Sequence, residues 1–325
     1  MIPDPIRQPA LRYPSRALAH AQLAERLTER DRWMLRMCHE HRVLTTGQFT
    51  ALAFSSVNFA RRRLAQLHGY GALEKFRPLR TTGSAPAHWV LGPAGAAVLA
   101  AEAGVEVHDL GYRPDRALAI AHSLRLAHTL GIVDWFTTLA TAPGADDAAL
   151  LAWWSEHRCR ALWGDLTRPD GYGRYTRGET AVDFFLEFDL GTMALSTVAA
   201  KLHGYAELAR TSAVITPVLF WLPTRAREIG ARKALHDIWT GLADPDTVPV
   251  ATAAADLLDP ANASPAQRVW LPLDFIGSER VSLDGLTARW PRVTPAPATV
   301  PIPPPGRHAV LAPPPPLPPA QPGDR

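Results

Sequence analysis

The sequence predicts two units of mixed α/β class, a small helical one carrying a β-hairpin and a larger one built on a sheet, followed by a Pro-rich tail. Three observations predict this. Residues 21–110 show short amphipathic helical patterns, then a hairpin pattern and a closing helix. Residues 117–241 run helix, strand, strand, strand, helix, strand, helix. From Pro291 to the end, 14 of 35 residues are proline, a composition that favours extended segments without a packed core, so 291–325 is expected to be disordered. A length of 325 residues suits two domains, and 47% hydrophobic with 20% charged residues gives each the means to bury a core.

Taken in order, residues 1–20 mix Pro and Arg and read as a flexible arm. Thr28 with Asp31 three residues on resembles a capping box opening a helix through His41. LTTGQFTALAF reads as a short second helix. Ser55 or Ser56 then caps a third, VNFARRRLAQLHGYG, closed by Gly69 and Gly71. At 100° per residue Val57, Ala60, Leu64 and Leu67 share one face, with Asn58, Arg62 and Gln66 opposite. Leu73–Arg77 and His88–Leu91 are the expected strands of a hairpin around TTGSAP, before a last helix. Helices, hairpin and closing helix in this order make a winged helix-turn-helix over residues 21–112.

Such a unit binds double-stranded DNA. Asn58, Arg62 and Gln66 offer amides and a guanidinium that suit base edges, Arg61 and Arg63 flank them to reach phosphates, and Lys75, Arg77 and Arg80 make the wing basic. The charge agrees: residues 1–115 hold 15 Lys+Arg against 10 Asp+Glu, whereas 116–325 hold 19 against 21. Cys38, His39 and His41 lack a second ligand cluster at zinc-finger spacing and read as a helix end.

A linker is expected at 111–116, then one long helix from Ala117 to about Thr141, opening the second unit at 117–290. His122 and His128, six apart on it, fall on different faces and share no metal. Strands follow at LLAWWSE, near Arg168–Tyr175 and at VDFFLEFDL. In the last, Val182, Phe184, Leu186 and Phe188 alternate with Asp183, Phe185, Glu187 and Asp189. Acids inside so apolar a strand need partners. If the strand holding Asp170 pairs with this one, Asp170 approaches Glu187, and convergent carboxylates suit Mg²⁺ or Mn²⁺. Asp170–Gly171 is also a common turn pair, and Glu156 is either a further acid of the site or a solvated strand end. Lys201 and Tyr205 lie one turn apart on a helix around Thr197–Arg210, before the apolar run AVITPVLFWL and a helix at Ala226–Gly241.

RPDG at 168–171, FFLEFDLGT at 184–192, and Lys201 with Tyr205 together resemble the replication-relaxation family of plasmid and mobile-element proteins, over about residues 28–240. The resemblance implies a winged helix joined to a domain similar to the PD-(D/E)xK nucleases, a restriction-endonuclease-like fold. It implies a catalytic set of Asp170, Glu187, Asp189, Lys201 and Tyr205, with metal on Asp170, Glu187 and Asp189. Nucleases of this fold carry Lys two residues after the Glu, where this chain has Asp189. Either Lys201 supplies the amine from the helix, or the site is degenerate. The family name also implies relaxase-like nicking by a tyrosine, for which Tyr172, Tyr175 and Tyr205 are candidates.

The expected function is site-directed nicking or relaxation of DNA in replication or mobilisation. The alternative is a non-catalytic DNA-binding accessory factor or transcriptional regulator. An adaptor role, with the Pro-rich tail recruiting a protein partner, is compatible with either. Two distant cysteines, no apolar run of membrane-spanning length and no signal-peptide core point to a cytoplasmic protein without a membrane partner.

Overall fold

The structure is a computed structural model that describes residues 23–78, 85–142, 147–213, 215–258, 264–274, 277, 279–290, 292–293 and 311–320. The expected arm at 1–20 and Arg80 of the expected wing lie outside the described residues.

The N-terminal unit follows its local signals closely. Helix α1 (Glu29–His41) opens on a reciprocal capping box between Thr28 and Asp31. A second capping box, Thr45 with Gln48, separates the short strand β1 (Leu44–Thr45) from α2 (Thr46–Ala53). Ser56 caps α3 (Val57–Gly69), and Gly71 just beyond its end adopts a left-handed φ of 68°. Strands β2 (Leu73–Phe76) and β3 (His88–Leu91) pair antiparallel, β1 joins the other edge of β3, and α4 (Pro93–Ala103) closes the unit. Ala60, Leu64 and Leu67 anchor α3 as its periodicity predicts, whereas Val57 is exposed because it sits at the first turn, beyond the packed face.

The long helix expected from Ala117 is broken. Helix α5 (Pro114–Ala119) begins inside the expected linker, a 3-10 turn follows, and α6 (Leu126–Ala140) starts afresh. Ser123 makes the break: its backbone is extended and its hydroxyl accepts from the Arg125 N–H, an alternative to the helical ladder.

The second unit is a six-stranded sheet of order β4-β5-β6-β7-β8-β9. Strands β4 (Ala148–Ser155), β5 (Gly171–Arg177) and β6 (Thr180–Phe188) are antiparallel neighbours. Strands β7 (Val218–Leu222) and β8 (Val250–Ala254) then run parallel to β6, and β9 (Leu271–Pro272) pairs antiparallel at the edge. The parallel steps need crossovers, supplied by α8 (Leu195–Ser212) and α9 (Arg225–Trp239). The alternation in β6 is obeyed: Val182, Phe184 and Leu186 pack with α6 on one face, Phe185 with α8 on the other.

Helix α7 (Glu156–Trp163), absent from the expected elements, follows β4 directly and makes Glu156 a first-turn helix residue. Its Arg158 reaches the N-terminal unit and forms a buried ion pair with Glu40 of α1. Glu40 accepts from Arg158 Nε at 2.9 Å and Nη2 at 2.6 Å, and from the Ser155 N–H and hydroxyl. His41 stacks on Trp153 with ring centroids 4.0 Å apart. One apolar cluster therefore runs from Trp33 through Trp153 to Trp270, so the two units share a core.

The tail differs from its expected disorder over residues 311–320, which lie along the protein with Pro314 and Pro316 buried. The Trp33 indole N–H donates to the Pro315 carbonyl at 2.8 Å, and Arg158 Nη2 donates to the Leu311 carbonyl at 2.9 Å. Proline composition discourages a self-made core, yet proline-rich chain is already extended and loses little entropy on docking.

Candidate active-site cleft

A cleft of about 430 Å³ opens where β6 turns from an antiparallel to a parallel neighbour. Asp170, just before β5, is held against β6 at two points. Its N–H donates to the Leu186 carbonyl, and its carboxylate accepts from the Phe188 N–H at 2.9 Å. That tie sets Asp170 beside Glu187. Helix α8 brings in Lys201, whose ammonium ion-pairs with Glu187 and lies 4.0 Å from Asp170. Tyr205, one turn on, donates its hydroxyl to the other Glu187 oxygen at 2.5 Å.

Two glycines permit these approaches. A Cβ on Gly204 would stand 2.4 Å from the Leu166 carbonyl oxygen, so α8 lies against the segment leading to Asp170 as no other residue allows. A Cβ on Gly131 would stand 2.5 Å from the Phe188 ring. Its absence lets α6 approach β6 until His128 Nε2 lies 2.9 Å from the Phe188 carbonyl and 3.3 Å from Asp170.

The electrostatics divide the two acids. Burial pushes the Asp170 carboxyl up, but the His128 hydrogen bond and the Lys201 charge outweigh it and hold the carboxyl below its usual range. Glu187 is pushed up to about 7, first by burial and then by the charge of Asp170, against the ammonium of Lys201 and the hydroxyl of Tyr205. Burial lowers the Lys201 ammonium and that of His128 lowers its imidazolium, but the neighbouring carboxylates prevail and both are raised. Burial and Glu187 raise the Tyr205 phenol.

Among the expected site residues, the structure thus brings Asp170, Glu187, Lys201 and Tyr205 together. Asp189 lines the same cleft but turns elsewhere, accepting from Arg227 Nε at 2.5 Å and from the Gly191 N–H at 2.8 Å. Asp183, the other acid of β6, pairs with Arg174 and accepts from the Tyr172 hydroxyl, away from the cleft lining. The cleft also holds Arg125 and Arg160, which the sequence did not single out, beside Arg168 of the RPDG motif, and Arg125 pairs with Glu156 at 2.6 Å. His128 packs edge-on against the Phe188 ring and is hydrogen-bonded to the Phe188 carbonyl. Among the described residues, His128, Glu156 and Asp170 place one ligand atom each within 4.8 Å of one another, a set able to hold a metal ion.

On the N-terminal unit, Asn58, Arg61, Arg62, Gln66, Lys75 and Arg77 are all exposed. Arg63 is not a free flanking cation. It ion-pairs with buried Asp31 of α1 and donates to Gln66 Oε1 at 2.9 Å. Arg63 therefore locks α3 to α1 and ties down the expected base reader Gln66. Phe59, 54% exposed with Arg62 over its ring, was missed because an aromatic in a helical pattern reads as core.

Among the described residues no helix is long and apolar enough to cross a membrane. Searches of curated proteins and of solved structures return no match. The sequence profile described as replication-relaxation matches residues 35–218, a span from α1 to the first residue of β7 that takes in Asp170, Glu187 and Lys201. That span is more than half of the chain, and the chain belongs to the replication-relaxation family.

Proposed function

We propose that the chain is a DNA-processing protein of a plasmid or mobile element: its N-terminal unit is a winged helix-turn-helix that holds double-stranded DNA, and its cleft hydrolyses a phosphodiester bond. The observation that carries this reading is the Lys201 ammonium set between Asp170 and Glu187 in a cleft lined by three arginines. The order α6-β4-α7-β5-β6-α8-β7, with one acid just before β5 and the other on β6, supports a restriction-endonuclease-like unit by analogy of fold. Membership of the family supports a role in replication or relaxation of such elements.

The donor set suits a divalent ion. Asp170, Glu156 and His128, whose ligand atoms converge within 4.8 Å, would hold the ion, with Arg125 released from Glu156 and the His128 ring giving up its proton. Two carboxylates and an imidazole favour Mn²⁺ over Mg²⁺, which prefers an all-oxygen shell. Such an ion, when bound, acidifies water and offsets charge on the phosphate. Glu187, with a pKa near neutrality, accepts the proton of the attacking water as the bond from phosphorus to the departing strand's oxygen breaks, and that oxygen is protonated from solvent. Lys201 keeps its proton and stabilises the charge that develops on the phosphoryl oxygens. Tyr205 fixes the orientation of Glu187. Arg125, Arg160 and Arg168 receive the flanking backbone.

Hydrolysis is favoured over attack by a tyrosine. Tyr172, Tyr175 and Tyr205 are all buried, none lines the cleft, and burial raises each phenol. Supercoiled plasmid carrying the cognate site, with Mn²⁺, is expected to be converted to open circles, and Glu187→Gln should abolish the conversion while leaving DNA binding intact. Equal, negligible nicking by both proteins would establish the second reading, a DNA-binding factor without catalysis. The lock of Asp189 on Arg227, at the position where related nucleases carry lysine, favours that reading.

DNA contact is tested separately. Arg62→Ala should weaken binding by about 1–3 kcal/mol and relax specificity at one position. Neutralising Lys75 and Arg77 should weaken binding to all sequences and flatten the salt dependence by roughly one unit of slope per contact. Salt-independent affinity in a titration of the full chain would sink the winged-helix reading.

A further inference from the structure

The ordered stretch at residues 311–320 occupies a groove with the chemistry of a polyproline receptor. Every proline fixes its own φ and drives the residue before it into extended backbone, so Leu-Ala-Pro-Pro-Pro-Pro-Leu-Pro-Pro is stiff before it docks. Such a chain turns once every three residues, leaving one edge outward and two inward. The exposure pattern follows this over the first two turns: Ala312 and Pro315 are exposed, while Leu311, Pro313, Pro314 and Pro316 are partly or fully buried. The carbonyls of such a chain have no internal N–H to accept from and are open to donors on a receptor. The groove supplies two, the Trp33 indole N–H to Pro315 and the Arg158 guanidinium to Leu311. Trp33 is otherwise buried in the shared core, and the Leu311 side chain packs against that core.

The location gives the contact its meaning. Trp33 belongs to α1 and Arg158 to α7, so one segment fastens to both units at their joint. The nitrogen of Arg158 that holds Leu311 also binds Glu40, and Nη1 of the same group is buried with no partner among the described residues. The start of the docked stretch, at Leu311, therefore contacts the guanidinium that joins the two units, and its middle, at Pro315, contacts Trp33 of α1.

We propose that the groove between α1 and α7 is a polyproline-binding site whose resident ligand is residues 311–320 of the same chain, and that this segment is a detachable clamp on the joint. The chemical class of ligand is a short left-handed proline helix presenting a bare carbonyl to an indole N–H. An external polyproline segment competes only when the resident one is gone, because tethering gives it an effective concentration of order millimolar.

The test compares the full chain with a chain ending at residue 310, using a synthetic LAPPPPLPPA peptide as probe and tryptophan emission with calorimetry as readouts. The shortened chain should bind the peptide at least about tenfold more tightly than the full chain. Trp33→Phe in the shortened chain should lose most of that affinity. A peptide with Pro314 and Pro316 replaced by Ala should bind weakly to both. A folded shortened chain that ignores the peptide would overturn the proposal. So would a full chain that is dimeric while the shortened chain is monomeric, since the ligand would then belong to a second copy. If the shortened chain does not fold, Pro314→Ala with Pro316→Ala in the full chain serves instead. Faster amide exchange in α1 and α7 than in α8 supports the clamp, and unchanged exchange refutes it.

Discussion

Glu40 and Glu187 are almost equally hidden, 5% and 3% exposed, and each faces a cation, yet they sit at opposite ends of the carboxylate range. Glu40 is drawn down to about 2. Burial works against its ionisation, but the two-pronged Arg158, the charge of His41 when protonated and the Ser155 donors prevail. Glu187 is driven up to about 7, because one ammonium and one hydroxyl do not make up for burial beside a second carboxylate. A guanidinium that grips both oxygens makes a fixed anion suited to joining two units. A single ammonium shared between two acids leaves one of them ready to take a proton. The number and geometry of donors, more than depth of burial, separate structural from chemical acids here.

Removing Arg158 should have the largest effect. Arg158→Met leaves Glu40 buried without its partner and should destabilise the chain by about 3–5 kcal/mol in denaturant titrations. Adding Glu40→Gln should recover part of the loss. A cost no larger than that of a surface substitution would end the contrast between the two acids.

Acid should separate the two regions by sign. Glu40 has a folded pKa below its unfolded one, so its contribution is complete above about 4.5 and lost as pH falls toward about 2, roughly 3 kcal/mol in all. His41, lowered to about 4 by burial, acts in the same direction: its protonation, favoured in the unfolded chain below 6.5, also pulls the joint apart. Glu187 runs the other way, since the folded chain holds its proton between about 7 and 4.5 and gains stability as pH falls through that window. Once the intrinsic pH dependence of exchange is divided out, opening at pH 5 relative to pH 7 should therefore become easier in α1, through His41, and harder in α8, through Glu187. Parallel changes in the corrected opening of both helices would contradict the assignment.

Lys201 should matter less to stability than Arg158. In Lys201→Met, Glu187 takes up a proton and becomes a neutral buried acid, so the cost should stay near 1 kcal/mol at pH 6 and rise with pH. Nicking activity should be lost outright. A loss of stability matching that of Arg158→Met would mean that the cleft, too, is chiefly structural.

Much of the cleft was legible because its pieces are local. The alternation in β6 put Glu187 and Phe185 on one face, and one helical turn joined Lys201 to Tyr205. The joint was not legible. Glu40 and Arg158 are 118 residues apart, His41 read as a helix end, and nothing in Leu150–Glu156 announced that Trp153 would meet an imidazole from another unit. Strands β8 and β9 escaped notice because Val-Ala-Thr-Ala-Ala carries weak strand propensity and is held by its parallel neighbour. Arg63 illustrates the same limit within one unit, since a cation on an amphipathic helix looks alike whether it faces solvent or a buried acid two helices earlier.

That lock between Arg63 and Asp31 has an evolutionary consequence. The residues that seat α3, namely Ala60, Arg63, Leu64 and Leu67, are distinct from the exposed ones at Asn58, Phe59, Arg61, Arg62 and Ala65. Exposed helix positions away from caps and cores tolerate most replacements within about 0.5 kcal/mol. Mutation can therefore exchange the outward set and give the scaffold a new surface at little cost in stability, whereas a change in the seat unsettles the helix itself.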